Sequence, residues 1–335
     1  MFNYTLRRLI TAIPVLLVIS LIIFSLLKLA PGDPMANVPM TVPEDVKQKM
    51  REALGADQPL MVQYLLWLKQ FFVIEPLHIL GQLTGHDLTG GAQRIISWET
   101  RSPVADLIVQ RMPQTLTVVG LSYLLGILVA IPIGIISAYR QYSWFDQLGT
   151  FVSMVGYSVP TFFTGVVFIV VFSVLLGWFP SVYDTTLKVV DWHTFWLQVR
   201  QMVLPATVLT LFNAAQVSRY MRSSMLDNLG HDYVRTARAK GMSEPVVVLQ
   251  HVLRNSLIPV VTVIALGVPQ IFGGAIITEQ VFKINGLGAA LVGAIYGNDL
   301  PMVQTLTFIF AVLIVFFNLV ADLVYGILDP RIRYD

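Results

Sequence analysis

From Leu9 to Leu27 the chain runs for 19 residues without a charged side chain, with Arg7 and Arg8 before the run and Lys28 after it. At about 1.5 Å of rise per residue, one helix of this length crosses a hydrocarbon core roughly 30 Å thick. Its backbone must then satisfy its own hydrogen bonds, because no water reaches that depth. A secretory signal peptide is the alternative, but the run exceeds the roughly 7–15 apolar residues of such signals and no small-x-small cleavage pattern follows. A retained anchor is expected. Five more stretches, at about 115–138, 161–178, 203–221, 257–279 and 304–327, are apolar over lengths that can also cross, with Arg219, Glu279 and Asp322 as their charged residues. Leu148 to Val159 is too short to cross, abuts Pro160 and reads as a half-helix leading into the third span. The fold class expected is an all-α integral membrane protein of about six transmembrane helices, with seven as the other count.

Composition agrees: 55% of residues are hydrophobic and 13% charged, against about 25% charged in soluble domains. There is no cysteine, which removes disulfides, thiolate metal sites and a catalytic thiol. A net charge of +2 from 22 basic and 20 acidic residues gives no case for a nucleic-acid partner.

Orientation follows from Lys and Arg in the short loops. With the N-terminus inside, the cytoplasmic pieces hold Arg7, Arg8, Arg140, Arg219, Arg222, Arg235, Arg238, Lys240, Arg254, Arg331 and Arg333, while the short outer loops hold Lys188, Arg200 and Lys283. Both termini are expected in the cytoplasm. The chain then divides into an N-terminal transmembrane helix at 1–30, an extracytoplasmic region at 31–110, a core of five transmembrane helices at 111–330 and a cytoplasmic tail at 331–335. Within 31–110, helical periodicity covers Pro43 to Leu54 and Leu60 to Phe72, the latter with an apolar stripe of Tyr64, Leu65, Leu68, Phe71 and Phe72. Val73 to Gln93 has no assignable role.

Prolines and glycines concentrate inside the spans, above all in the fifth, with Pro259, Gly267, Pro269, Gly273 and Gly274. Such residues are tolerated where neighbouring helices or a water-filled path satisfy the freed backbone groups. Gly267, Pro269, Gln270, Gly273 and Glu279 are therefore candidates for lining a translocation pathway, with plain close packing as the other reading. Glu279 and Asp322 lie within a turn or two of an interface, where hydrogen bonding to a neighbouring helix end competes with a role in ion movement. No chain of acids or bases reaches mid-membrane, which argues against ion coupling. The five histidines are scattered, with no i, i+4 pairing to another ligand-type residue. Gly286-Leu287-Gly288 reads as a turn into a short helix, and no phosphate-binding loop occurs in the chain.

The most informative polar stretch is the basic loop at 223–256. Inside it Asp232 is a good N-cap, Gly241 a good residue just past a helix end, and Arg238 and Lys240 complement a helix C-terminus. A helix of about eight residues is expected, too short to be stable alone. Tyr233, Ala237 and Lys240 or Gly241 share a face that suits docking into a groove of a soluble partner; contact with anionic lipid headgroups is the other reading.

The run RTARAKG at 235–241, followed by HVLRNSLIP at 251–259, resembles the cytoplasmic motif of binding-protein-dependent ABC importer permeases, specifically the dipeptide and oligopeptide branch. Phe2 to Pro34 with its Ala30-Pro31-Gly32-Asp33-Pro34 ending, Leu176-Gly177-Trp178-Phe179-Pro180, Gly274 to Phe282, and Asn318 to Arg333 with Asp329-Pro330-Arg331 are similar to that branch's first permease subunit. The general family motif begins Glu-Ala-Ala, whereas Arg235-Thr236-Ala237 stands here, as is usual in the peptide branch; the chain also departs from the pattern at Asn285, where a proline is common, and at Val73–Gln93, which looks like an insertion. The resemblance implies a type I ABC importer permease fold in a bacterial inner membrane. Its partners would be a second homologous permease, two ABC ATPase subunits, an extracytoplasmic solute-binding protein and membrane lipid. ATP and magnesium would belong to the ATPase subunits and no cofactor to this chain, which would be a permease and no enzyme. Asp232, Tyr233, Arg235, Thr236, Ala237, Arg238, Ala239, Lys240 and Gly241 would form the coupling helix. The cargo would be dipeptides or oligopeptides, with glutathione, a nickel chelate or an oligosaccharide as alternatives and an ion-coupled secondary transporter as a distant one.

Overall fold

The computed structural model describes residues 2–29, 42–43, 45–48, 58–269, 271 and 275–328. Helix α1 is Phe2–Leu29. Helix α2 covers 60–84, as Leu60–Lys69 and Glu75–Thr84 joined by a π-helical turn. Then come α3, Val104–Tyr139; α4, Trp144–Ser158; α5, Thr161–Leu175; α6, Trp192–Leu229; α7, Asp232–Ala239; and α8, Glu244–Gly267. Three more follow: α9, Ile276–Phe282; α10, Leu287–Tyr296; and α11, Leu300–Leu328. Apart from one isolated bridge between Ile96 and Pro103, the described residues form helices, turns and loops.

Among the described residues five helices are long and apolar enough to cross a membrane, α1, α3, α6, α8 and α11, and the bent pair α4 and α5 makes a sixth candidate span. The bend is 104°. It falls at Val159-Pro160, because proline lacks the N–H that would continue the ladder and holds Val159 in an extended conformation (φ −83°, ψ 125°). The half-helix expected at Leu148–Val159 thus exists and starts earlier, where Ser143 caps it by accepting from Asp146 N at 3.3 Å. Helix α6 outruns its apolar stretch to 38 residues. It begins with a capping box in which Asp191 Oδ1 accepts from Thr194 N at 2.7 Å and Thr194 Oγ1 accepts from Asp191 N at 3.1 Å. The N–H of Thr194 holds the Asp191 carboxyl below the usual carboxylate range.

The stretch at 257–279 is not one helix. Val268 N donates to Ala265 O, three residues back, tightening the last turn of α8, and Pro269 has no N–H to extend it; α9 starts only at Ile276. In the 31–110 region the buried face of α2 is Gln63, Tyr64 and Trp67, whereas Leu65 and Phe72, expected on the apolar stripe, are exposed. Part of Val73–Gln93 continues α2 to Thr84, which ends at left-handed Gly85. The expectations placed on 30–34, on most of Pro43–Leu54, on Gln270, Gly273 and Gly274, and on 329–333 lie outside the described residues.

The chain forms two compact units, one of 1–9, 114–289 and 313–335, the other of 10–113 and 290–312. In the first, Ser122, Gly126, Ala130, Gly134 and Ala138 recur every fourth residue on α3 and are all buried. This stripe of small residues brings α3 onto α6: an added methyl group at Gly126 would lie 2.8 Å from Asn213 Cβ, and one at Gly134 2.5 Å from Met221 Cβ. Ala130, Ala138, Met221 and Met225 continue into Val247, Val248 and Val252 of α8 as one apolar cluster. Asp322 of α11, left open between two readings by its position, pairs with Arg8 at 3.1 Å.

The second unit is held by Phe24, Tyr64, Trp67, Phe71 and Phe308, whose rings meet mostly edge to face at 4.9–6.2 Å. Two polar knots flank them. Arg94 donates to Glu75 at 3.0 Å and to Asp106 at 2.9 Å, and Asp299 accepts from Ser97 Oγ and from Trp98 N.

Candidate functional site

The loop that the sequence singles out folds as a short helix seated on its own chain. Helix α7 starts with His231, not Asp232, in the N-cap position, and the His231 side chain makes no capping bond. Asp232 takes the first helical position, where its carboxylate lies 3.5 Å from Arg235 and complements the positive end of the helix. At the other end Gly241 adopts the left-handed conformation (φ +77°). Gly241 N donates to Arg238 O at 2.9 Å and Met242 N to Ala237 O at 3.4 Å, a Schellman ending that satisfies carbonyls the helix leaves open. Glycine is required there because a Cβ resists positive φ. Arg238 then donates to Glu244 at 2.7 Å, tying α7 to the start of α8.

Val234 is fully buried and Ala237 is 5% exposed; both join Met225, Val247, Val248 and Val252 in the cluster described above. Ala237 therefore turns into its own chain, contrary to the expectation from the sequence that it faces a partner. The physical reason is the one that made a docked helix plausible. Eight residues are too few to hold a helix in water, and α6 and α8 supply the missing contacts from the same chain. Asp232, Tyr233, Arg235, Thr236, Arg238, Ala239, Lys240 and Gly241 stay exposed. Tyr233 is no free knob: its ring stacks on His231 at 5.6 Å and its hydroxyl donates to Asn228 Oδ1 at 2.6 Å. What α7 offers outward is a basic, polar ridge.

A buried charge pair ties α4 to α6. Asp146, at the start of α4 and with its side chain 3% exposed, accepts two bonds from Arg222 of α6, at 2.6 and 2.7 Å, and one from Tyr142 N at 2.9 Å. Asp146 carries no signal in the sequence and Arg222 reads there only as one of the cytoplasmic basic residues, since partners 76 positions apart leave no local pattern.

A second feature lies deeper. Tyr123 of α3, Asn213, Gln216 and Tyr220 of α6, and Leu266 and Gly267 of α8 line a cavity of about 160 Å³. Positions 213, 216 and 220 fall at i, i+3 and i+7 and so share one face of α6. Neither the Asn213 nor the Gln216 amide has a hydrogen-bond partner among the described residues. The Tyr123 hydroxyl donates to Ile264 O and occupies the space a Cβ at Gly267 would need. Gly267, a pathway candidate from the sequence, is thus a wall of this cavity, and Pro269 lies just beyond the end of α8. The polar stripe was legible as three uncharged polar side chains at helical spacing inside an apolar span, but the sequence reading passed over it.

Glu279 belongs elsewhere. It is 1% exposed; Oε1 accepts from Thr115 Oγ1 at 2.7 Å and Oε2 from Ala289 N at 2.8 Å, while Leu287 N donates to Thr115 Oγ1 at 2.8 Å. Its carboxyl thus braces the N-terminus of α10, which the Gly286-Leu287-Gly288 turn opens, so the reading of Glu279 as a pathway wall is corrected. A helix N-terminus with open N–H groups is a natural seat for a carboxylate.

Membrane-crossing helices around a polar-walled cavity, with a short helix clamped beside the core by its own apolar face, are the parts of a membrane permease. The chain belongs to the family described as binding-protein-dependent transport system inner membrane component, whose model matches residues 130–334, while the N-terminal model of the same membrane component matches 1–119. It is 39% identical over 335 residues, the whole of both chains, to the oligopeptide transport system permease protein AppB of Bacillus subtilis (strain 168). It is 38% identical over 332 residues, 98% of each chain, to a putative peptide transport system permease protein of Brucella abortus (strain 2308). Val73–Gln93 falls inside these matched lengths. In fold it is similar to a chain of the MetNI methionine ABC transporter in an inward-facing form, with a TM-score of 0.52 at 18% identity over 68% of this chain and 99% of that one. The protein is accordingly an inner-membrane permease component of an ABC importer, a class that works with an ATPase and a binding protein.

Proposed function

We propose that this chain forms half of a translocation pathway for dipeptides or oligopeptides that an extracytoplasmic solute-binding protein delivers, and that a second homologous permease forms the other half. The observation that carries the pathway is the cavity with two uncommitted amides, Asn213 and Gln216, between α3, α6 and α8. Neutral amide and phenol groups suit the main-chain amides that every peptide presents whatever its side chains. The names of the relatives, an oligopeptide permease and a peptide permease, support the same cargo.

In this reading both termini and the 223–256 loop are cytoplasmic, 31–110 is extracytoplasmic, and the exposed ridge of α7 meets one of two ATPase subunits. ATP and magnesium bind those subunits and nothing here. Nucleotide closes the ATPase pair, the ridge moves with it, and the apolar cluster that joins Val234 and Ala237 to Met221 and Ala130 carries the motion into α6 and α3. The shift is one of population, since nucleotide binds one arrangement better than the other.

Reconstitution of the permease pair with ATPase subunits and binding protein tests this. ATP-dependent accumulation of a labelled peptide such as tri-alanine in the binding-protein compartment's trans side is expected, and the double variant Asn213→Leu with Gln216→Leu should lose most of it while retaining ATPase. Full uptake by the double variant removes the cavity from the path, and turnover of ATP by the isolated chain overturns the division of labour.

A further inference from the structure

The second unit holds a cavity that the transport reading does not use. It has a volume of about 140 Å³, and its lining includes Phe24, Leu27 and Lys28 of α1, Trp67 of α2, and Leu300 and Gln304 of α11, with Arg94 and Trp98 from the connection between α2 and α3. Arg94 is matched by Glu75 and Asp106. Lys28 makes no ion pair among the described residues; its ammonium lies 5.7 Å from the centre of the Phe24 ring. Three donors on lining residues, Trp67 Nε1, Trp98 Nε1 and Gln304 Nε2, are buried without a hydrogen-bond partner. Buried donors normally have partners, so three on residues around one cavity, beside an ammonium with no ion pair among the described residues, point to an acceptor that is missing.

Depth identifies the acceptor. The uncharged run Leu9–Leu27 covers about 28 Å at the helical rise, so Lys28 emerges where the hydrocarbon ends and headgroups begin. Lysine and tryptophan collect at that level. Leu21 and Leu17, seven and eleven residues before Lys28 and therefore on its face of α1, are 43% and 45% exposed and give acyl chains a surface to run along. We propose that this cavity binds the phosphodiester headgroup of an anionic phospholipid, with Lys28 facing the phosphate and the indole and amide donors supplying hydrogen bonds. The site makes one bound lipid a structural ligand of the unit that contains α2, independently of what the pathway carries.

Native mass spectrometry of the purified, partly delipidated transporter complex tests it, with dioleoyl phosphatidylglycerol, dioleoyl phosphatidylcholine and free glycerol 3-phosphate as separate probes. Phosphatidylglycerol should remain bound and exceed phosphatidylcholine by about fivefold, the weight of one basic residue near a charged surface. Lys28→Gln should remove that preference, and Lys28→Arg should keep it, which separates loss of charge from loss of folding. Gln304→Leu should weaken retention of both lipids. Binding of glycerol 3-phosphate as tight as that of the lipid would make this a site for a free phosphate ester and overturn the lipid assignment, as would unchanged phosphatidylglycerol preference in Lys28→Gln.

Discussion

Replacing Val234 by alanine isolates the contact that seats α7. The side chain is fully buried against Met225, Val247, Val248 and Val252. The substitution removes two methyl groups, worth about 1.6 kcal/mol at roughly 0.8 kcal/mol per buried carbon, and the space they leave raises the cost to about 2 kcal/mol. An eight-residue helix has almost no stability to lose in water, so this cost falls on the docked state. At about 1.4 kcal/mol per tenfold, the undocked population rises about 30-fold. Hydrogen–deuterium exchange of the peptide covering 232–246, in the assembled transporter without nucleotide, should then show amide protection reduced by a similar factor, with α3 and α6 peptides unchanged. Arg235→Ala, on the exposed ridge, is the control and should leave exchange within about twofold of the parent, the range of ordinary surface substitutions. If Val234→Ala matches that control, α7 is not held by its own chain and the partner alone orders it.

Three further outcomes follow from the geometry. Asp146→Asn leaves Arg222 facing a half-satisfied partner and should destabilise the detergent-solubilised protein by about 3 kcal/mol, toward the low end for a broken buried pair because Arg222 keeps some access to solvent; a double-mutant cycle with Arg222→Met should recover much of the loss, and simple additivity of the two would contradict the pairing. Gly267→Ala should push the Tyr123 hydroxyl off Ile264 O and depress uptake, with Tyr123→Phe partly restoring it, and equal uptake with and without the phenylalanine would show that the overlap is not what limits transport. In this cysteine-free chain, an impermeant maleimide applied to intact cells should label Thr100→Cys and spare Ser243→Cys, both at exposed positions, whereas the reverse pattern would invert the topology.

The spans were legible because a membrane reads composition in one dimension: a run of about 20 apolar residues crosses as a helix whatever surrounds it. The same holds for single-residue chemistry at helix ends. Pro160 and Pro269 break helices, and Gly241 ends α7 with the positive φ that the sequence reading asked of it. What the sequence did not determine is which face of each helix is covered. Val234 and Ala237 are the inward pair on α7, where the sequence puts Tyr233 and Ala237 together on a partner-facing side, because the cover comes from Val247 and Val252, and from Met225 on another helix. Glu279 reads as a path residue until Thr115 and Ala289 are seen at its oxygens, 164 and 10 positions away. Asn213, Gln216 and Tyr220 share a face by helical spacing alone, but only the approach of α3 and α8 makes that face a cavity wall. Length and polarity are properties of a segment and survive in the linear chain; burial, pairing and cavity formation depend on which segments meet, and that is decided by packing in three dimensions.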